Sequence, residues 1–399
     1  MTTQTIRLAE RMRHVGLSPT MKGTIEAERL KREGVDVVDL GAGEPDFPTP
    51  AHITAAAHGA LDQGFTKYTA NPGMAALREA VGARYREDYG VTYAPDEVIM
   101  TAGGKQALYH AAMALFDPGD EVVTHAPGWP TIVEQIKLAG ATPVMVQTDP
   151  AQGFAVTAAG LLSAVTPRTR GIILNSPTNP TGALMSESEA KALAAEAARR
   201  DLWLVIDLCY DKLIYDAVAH NLPAIFGAAM RDRLVICGSA SKTYAMTGWR
   251  CGWIAAPKPV VQAANALQSH ETSNVNSITQ RAVLAALTGP QACVTEMLNE
   301  YQRRRDQLIA WLAEEPRLTC VKPRGAFYLF PSVQAFLSPN GYKTSLDFAD
   351  ALLREEHVVT TAGEAFDTPG YVRLSYATSM DRLREGATRL IRFARKATA

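Results

Sequence analysis

Lys242 stands among small and hydroxyl residues in Ser239-Ala240-Ser241-Lys242-Thr243-Tyr244-Ala245-Met246-Thr247-Gly248-Trp249-Arg250, with an arginine closing the stretch. Apolar runs flank the lysine. Leu234 to Gly238 before it and Gly248 to Ile254 after it each read as a buried strand. Burial penalises an ammonium, so the amine is expected to shift toward its neutral, nucleophilic form. A neutral amine condenses with carbonyl compounds to give Schiff bases. Arg250 presents a fixed fork of donors, which suits a phosphate better than the point charge of a lysine.

Three further segments carry matching chemistry. Leu202 to Asp207 is an apolar strand ending in an acid. Asp207 is therefore a candidate for keeping a ring nitrogen protonated, although an aspartate at such a place also serves as a turn or helix cap. Gly171 to Gly182 reads as a strand followed by a proline-punctuated loop. Loops at the carboxyl ends of strands in open α/β sheets are where ligands bind. Asn179 from this loop and Tyr210, shortly after Asp207, are placed to donate to a phenolic oxygen. Glu97 to Thr101 is a strand, Ala102-Gly103-Gly104-Lys105 a small-residue turn, and Gln106 to Phe116 a helix. The free N–H groups at such a helix start hold anions, though paired glycines alone are weak testimony. Together, the amine, the acid, the two donors and the phosphate cup point to pyridoxal 5'-phosphate.

With these segments in view, the sequence resembles the class I aminotransferases of the fold-type I pyridoxal-phosphate superfamily, nearest the bacterial aspartate/prephenate aminotransferase branch. The matching stretches are Gly41-Ala42-Gly43-Glu44-Pro45-Asp46-Phe47, Lys67-Tyr68-Thr69, Gly103 to Leu108, Asn179-Pro180-Thr181-Gly182, Ser239 to Arg250 and Val372 to Ala377. They run in family order over nearly the whole chain. The resemblance implies an α/β fold: a large domain over 46–294, with a mostly parallel sheet of the seven-stranded type between helices, and a smaller α+β domain built from 1–45 and 295–399. It implies an aminotransferase that moves an amino group from an L-amino acid to a 2-oxo acid in ping-pong fashion through pyridoxamine phosphate. Lys242 would carry the cofactor and shuttle a proton. Asp207 would pair with the ring nitrogen, and Asn179 with Tyr210 would hold the ring oxygen. Ser239, Arg250 and the turn Gly103-Gly104-Lys105 would hold the phosphate, with Tyr68 reaching it from a partner subunit in a homodimer with shared sites. Trp129 would stack on the ring, while Arg373 and the backbone of Gly43 would grip the substrate carboxylate.

Lys105 carries the substrate expectation. A helix start already favours anions, so a cation there calls for a partner of its own. In the branch that this sequence resembles, the matching lysine serves the distal carboxylate of an acidic substrate, and Ser18 and Thr20 match hydroxyls flanking the same pocket. The run Ser269 to Asn274 contains no arginine, which is the other family solution. Aspartate or glutamate is the expected donor, with an aromatic or prephenate-type substrate, or broad specificity, as the alternative. Three departures stand out: Leu208 where the family usually has glutamate, Cys209 in a usually aliphatic place, and Gly128 where an aromatic usually precedes Trp129. Gly128 is read as opening space near the substrate.

The 399 residues suffice for two substantial cores, and Lys+Arg 40 against Asp+Glu 41 leaves no basic footprint for nucleic acid or anionic membrane. The five cysteines have no C-x-x-C spacing and the eight histidines are scattered, so reduced thiols, no metal site and a cytoplasmic setting are expected. Met1 to Gly16 lacks the apolar core of a signal peptide, and no apolar stretch reaches membrane-spanning length. Strand and helix patterns alternate from about 96 to 256, as in a mostly parallel sheet covered on both faces. Val35 to Leu40 reads as an early strand and Ser277 to Glu314 as one long helix. Short strands at Leu318–Val321, Ala326–Phe330 and Tyr371–Tyr376 alternate with helices at 344–356 and 381–397. A Rossmann dehydrogenase is disfavoured because no G-x-G-x-x-G opens a helix after a strand. The cofactor motifs leave other enzymes of the same fold open, such as a C–S lyase or a cyclopropane-forming synthase. A DNA-binding regulator would need a basic helix-turn-helix that neither end supplies.

Overall fold

The computed structural model of the protein describes residues 7–13, 15–16, 22–339 and 341–397. Its strands are β1 (Val38–Asp39), β2 (Val98–Thr101), β3 (Glu121–Ala126), β4 (Thr142–Gln147), β5 (Thr169–Asn175), β6 (Trp203–Asp207), β7 (Leu234–Ser239), β8 (Gly252–Ala255), β9 (Tyr328–Leu329), β10 (Val358–Val359), β11 (Thr361–Ala362) and β12 (Val372–Ser375). Seven of them form one sheet in the order β2-β8-β7-β6-β5-β3-β4. β8 runs antiparallel to both its neighbours, and the other pairings are parallel.

Continuous apolar runs make the central strands, because both faces of the sheet are covered. Ile172, Leu204, Ile206 and Ile236 point to one core with Leu77, Leu193 and Phe226 from helices. Ile173, Val205 and Val235 point to the other, where Leu108 and Ala111 of the helix Gly104–Leu115 pack. Each parallel strand therefore delivers its carboxyl end to the same edge, and that edge carries Asn175, Asp207 and Ser239. A second layer of structure builds the smaller sheets: β1 pairs with β10 in parallel, and β11-β12-β9 is antiparallel. Val38 and Leu40, from early in the chain, share a core with Phe348, Leu383 and Phe393 of the late helices Ser345–Glu356 and Met380–Lys396.

Several expected elements differ in extent. The long helix over 277–314 is two helices, Ser277–Thr288 and Ala292–Leu312. Pro290 has no N–H to donate and forces the residue before it out of the helical region, and Gly289 accordingly sits at φ −85°, ψ −173°. Leu318–Val321 forms no strand; Leu318 N–H turns back to the Glu315 carbonyl at 2.9 Å, Ser332 N–H donates to the Thr319 carbonyl at 2.7 Å, and no ladder forms. The strand expected from Gly248 begins only at Gly252, because Arg250 turns the chain with φ +54°.

Candidate active site

A cavity of about 890 Å³ opens between the carboxyl ends of β5, β6 and β7 and the loop Gly41–Glu44. It gathers Gly43, Gly104, Lys105, Trp129, Asn179, Asp207, Tyr210, Ser239, Lys242, Arg250 and Arg373 from across the chain. Gly103 lies just behind its wall, where an added Cβ would come 2.6 Å from Arg250 Nη2. Tyr68 is elsewhere: its side chain is 90% exposed. Ser18 and Thr20 lie outside the described residues.

The amine sits on the short helix Ala240–Thr243 that follows β7. Lys242 Nζ donates to the carbonyl of Gly43 and lies 5.8 Å from the centroid of the Phe327 ring. Burial holds its pKa below the ordinary lysine value, with Arg373 and Arg250 pushing the same way against Cys209 and Glu44. The residue as a whole is half-buried, yet the amine end is closed in by these groups. Asp207, at the end of β6, accepts the N–H of Cys209 on Oδ1 at 3.0 Å. Burial pushes its carboxyl up to about 7, reinforced by Asp211 and opposed by Lys242. An acid in that condition gains from a cation placed against its second oxygen.

The turn expected to hold the phosphate is built from backbone. Gly103 has φ +86° and ψ 167°, a conformation open to glycine, and the helix Gly104–Leu115 starts behind it with no side-chain cap. Its first N–H groups therefore point outward without intrahelical partners. Close packing keeps the turn against β8, since a Cβ on Gly252 would lie 2.6 Å from the nitrogen of Gly104. Ser239 Oγ donates to Ser241 Oγ at 2.8 Å, and Arg250 is steered by the carbonyls of Thr247 (2.8 Å) and Ala102 (3.3 Å).

Arg373 on β12 is buried and donates to Asn179 Oδ1 at 3.0 Å and to the Gly41 carbonyl at 2.7 Å. Its Nε is buried without a partner. That orphan donor, the uncapped helix start and the acid in need of a cation make a set that fits pyridoxal 5'-phosphate with an amino-acid carboxylate. Lys105 lies with Nζ 5.1 Å from the centroid of the Trp129 ring. Burial, then Arg250, lowers its pKa, and no carboxylate pairs with it among the described residues.

Several residues of the site were not anticipated. Tyr328 borders the cavity, bonds the hydroxyl of Tyr210 at 2.8 Å and stacks beneath Arg373. Asn175 ties the loop to the sheet: Oδ1 accepts the N–H of Asn179 at 2.8 Å and Nδ2 donates to the Asp207 carbonyl at 3.4 Å. Behind Asn175 rather than on the cavity wall, buried His125 donates through Nδ1 to the Pro127 carbonyl at 3.0 Å, and burial pushes its pKa down to about 4, so the ring is neutral. No sequence signal separates these from ordinary core residues, since each lies in or beside an apolar run. The departures also find places. Leu208 packs in the core, and Cys209 borders the cavity with its thiol pushed up to about 12 by burial. At Gly128 the reading changes: an added Cβ would strike the carbonyl oxygen of His125, so this glycine answers a backbone contact and is not a gap facing the substrate.

A family model described as aminotransferase class I and II matches residues 35–390. The chain is 42% identical over 388 residues to an aspartate aminotransferase of Geobacillus stearothermophilus, covering 97% of this chain and 99% of the relative. It is 41% identical over 392 residues to an aspartate/prephenate aminotransferase of Cereibacter sphaeroides, covering 97% and 98%. Among solved structures, the aspartate aminotransferase of Rhizobium meliloti matches with a TM-score of 0.93 at 38% identity, covering 98% of this chain and 100% of that one. The Thermus thermophilus aspartate aminotransferase with maleate matches with a TM-score of 0.92 at 38% identity and the same coverage.

Proposed function

The chain belongs to the class I and II aminotransferase family and is a pyridoxal-phosphate-dependent enzyme; from that premise we propose that aspartate or glutamate is its amino donor and a dicarboxylic 2-oxo acid its acceptor. The observation that carries the substrate reading is Lys105, an ammonium at the cavity wall over Trp129 with no carboxylate partner among the described residues. A distal carboxylate would supply that partner. Ser18 and Thr20 belong to the same reading as flanking hydroxyls. A prephenate-type acceptor is the second reading, suggested by the name of the Cereibacter relative.

The roles of the other residues follow from their chemistry. Arg373, with the backbone at Gly43, would grip the α-carboxylate in a bidentate fork. Lys242 would carry the cofactor and move a proton to and from the substrate Cα, a task for which a lowered pKa suits it. When bound, the cofactor supplies an electron sink for the charge left at Cα. Asp207 would keep the ring nitrogen protonated, Asn179 and Tyr210 would donate to the ring oxygen, and Trp129 would cover the ring face. Ser239, Arg250 and the turn Gly103-Gly104-Lys105 would hold the phosphate. The reading includes a large unit over 46–294 and a small one from 1–45 and 295–399, supported by the shared packing of Val38, Leu40 and Phe393. It also includes a homodimer in which the partner's Tyr68 reaches the phosphate, and a cytoplasmic setting in keeping with five free cysteines. Among the described residues no helix is long and apolar enough to cross a membrane.

Lys105→Ser tests the substrate reading. It is expected to lower kcat/KM for dicarboxylic substrates by about 1–3 kcal/mol of transition-state binding while sparing alanine and phenylalanine. Equal losses for every donor would assign Lys105 to the phosphate and remove the dicarboxylate assignment.

A further inference from the structure

Tyr210 and Tyr328 stand 118 residues apart in the chain, yet their hydroxyls meet at 2.8 Å. One follows β6 of the central sheet and the other lies on β9 of the three-stranded sheet. Both are buried and both border the cavity. Their rings meet edge to face with centroids 5.9 Å apart, and Phe327 braces Tyr210 at 5.5 Å. In such a pair one hydroxyl donates and the other accepts, and the acceptor keeps its own proton for a third group.

Arg373 bears on the order of donation. Its guanidinium carbon lies 4.3 Å from the centroid of the Tyr328 ring, a cation on the π face that draws electron density from that phenol and strengthens its O–H as a donor. Burial lifts both phenols above the ordinary tyrosine value. Gly43 leaves the hydroxyl room, since a Cβ there would come 3.3 Å from Tyr328 Oη.

We propose that Tyr328 is a positioning residue: its hydroxyl donates to the oxygen of Tyr210 and thereby aims the proton of Tyr210 into the cavity, toward the ring oxygen of the cofactor. This rests on the reading of Tyr210 as a donor to that oxygen. With Tyr328 donating, Tyr210 has a single use for its proton. Without Tyr328, the hydroxyl of Tyr210 rotates and its donation is divided.

The readout is the visible absorbance of the holoenzyme as pH is varied, because its colour follows protonation of the nitrogen that joins Lys242 to the cofactor. A donor at the ring oxygen holds negative charge there and loosens that nitrogen's proton, so losing the donor raises the midpoint. Tyr210→Phe is expected to raise it by about one pH unit, and Tyr328→Phe, which keeps the ring and its packing, by about half as much. The double variant is expected to match Tyr210→Phe alone, because Tyr328 acts only through Tyr210. An unchanged midpoint in Tyr328→Phe overturns the proposal, as do shifts that add in the double variant. An unchanged midpoint in Tyr210→Phe overturns instead the underlying reading of Tyr210.

Discussion

Asp207 shows how a single buried group ties stability to chemistry. Folding moves its pKa from the ordinary aspartate value of about 4 up to about 7, because burial disfavours the carboxylate. In the cofactor-free protein the folded state therefore holds a proton that the unfolded state gives up, and stability falls as pH rises between those values. The cost is absent near pH 4 and complete above pH 7. Asp207→Asn removes the charge and is expected to stabilise the cofactor-free protein by about 2 kcal/mol at pH 8 and by little at pH 4, read by thermal unfolding. The same variant is expected to bind cofactor yet turn over poorly, since a neutral amide does not keep the ring nitrogen protonated. Near-native turnover would make Asp207 a strand-end cap. Borohydride reduction of the holoenzyme is expected to fix the cofactor on the peptide holding Lys242. Label on another lysine would move the centre of the site. That Lys242, Asp207 and Asn179 would share one cavity was legible in the sequence, because Lys242 lies between two apolar runs, Asp207 ends another, and Asn179 sits in the proline-punctuated loop after a third. Tyr328 was not, because an aromatic within Ala326 to Phe330 reads as core until its hydroxyl is seen against Tyr210.

Among the elements, the start of the helix Gly104–Leu115 is the one proposed to hold the phosphate. Gly103 adopts φ +86°, and a side chain there would press on the guanidinium of Arg250. Gly103→Ala therefore meets backbone strain and a displaced arginine together. It is expected to raise the dissociation constant for cofactor at least about tenfold while leaving the protein folded, measured by titrating the cofactor-free protein. An unaltered constant would show that the phosphate sits elsewhere. The turn was legible because strand, glycines and helix follow one another directly in sequence. The small strands were less so: β9, β10 and β11 have two residues each, and their pairings join distant parts of the chain. Local pattern carries little information about such short ladders. Likewise the break at Gly289-Pro290 was hidden by apolar periodicity that continues on both sides, although proline's missing N–H decides the outcome.

At the scale of the whole molecule, a second cleft of about 780 Å³ bears on assembly. Ala102, Trp249, Arg250 and Asn276 line it, so it reaches the proposed phosphate arginine from outside the main cavity. Tyr68 of the same chain is not among the residues that line it, and its 90% exposure is unusual for a large aromatic ring. Both facts are explained if a second copy seats its own Tyr68 against Arg250. In a two-fold dimer the contact is reciprocal, so each site depends on residues from both subunits. Complementation separates this from a self-sufficient monomer. Lys242→Ala abolishes the amine, and Tyr68→Ala would remove the phosphate contact that such a dimer supplies to the other subunit. In a mixed dimer one site carries both defects and the other carries neither. Equal amounts of the two variants, unfolded and refolded together, are expected to recover up to about a quarter of the wild-type sites, because half of the dimers are mixed and each holds one intact site. Activity that never exceeds the mean of the two separate variants, or full activity at concentrations where only monomer sediments, would place Tyr68 outside the site and leave Arg250 and the Gly103 turn to hold the phosphate alone.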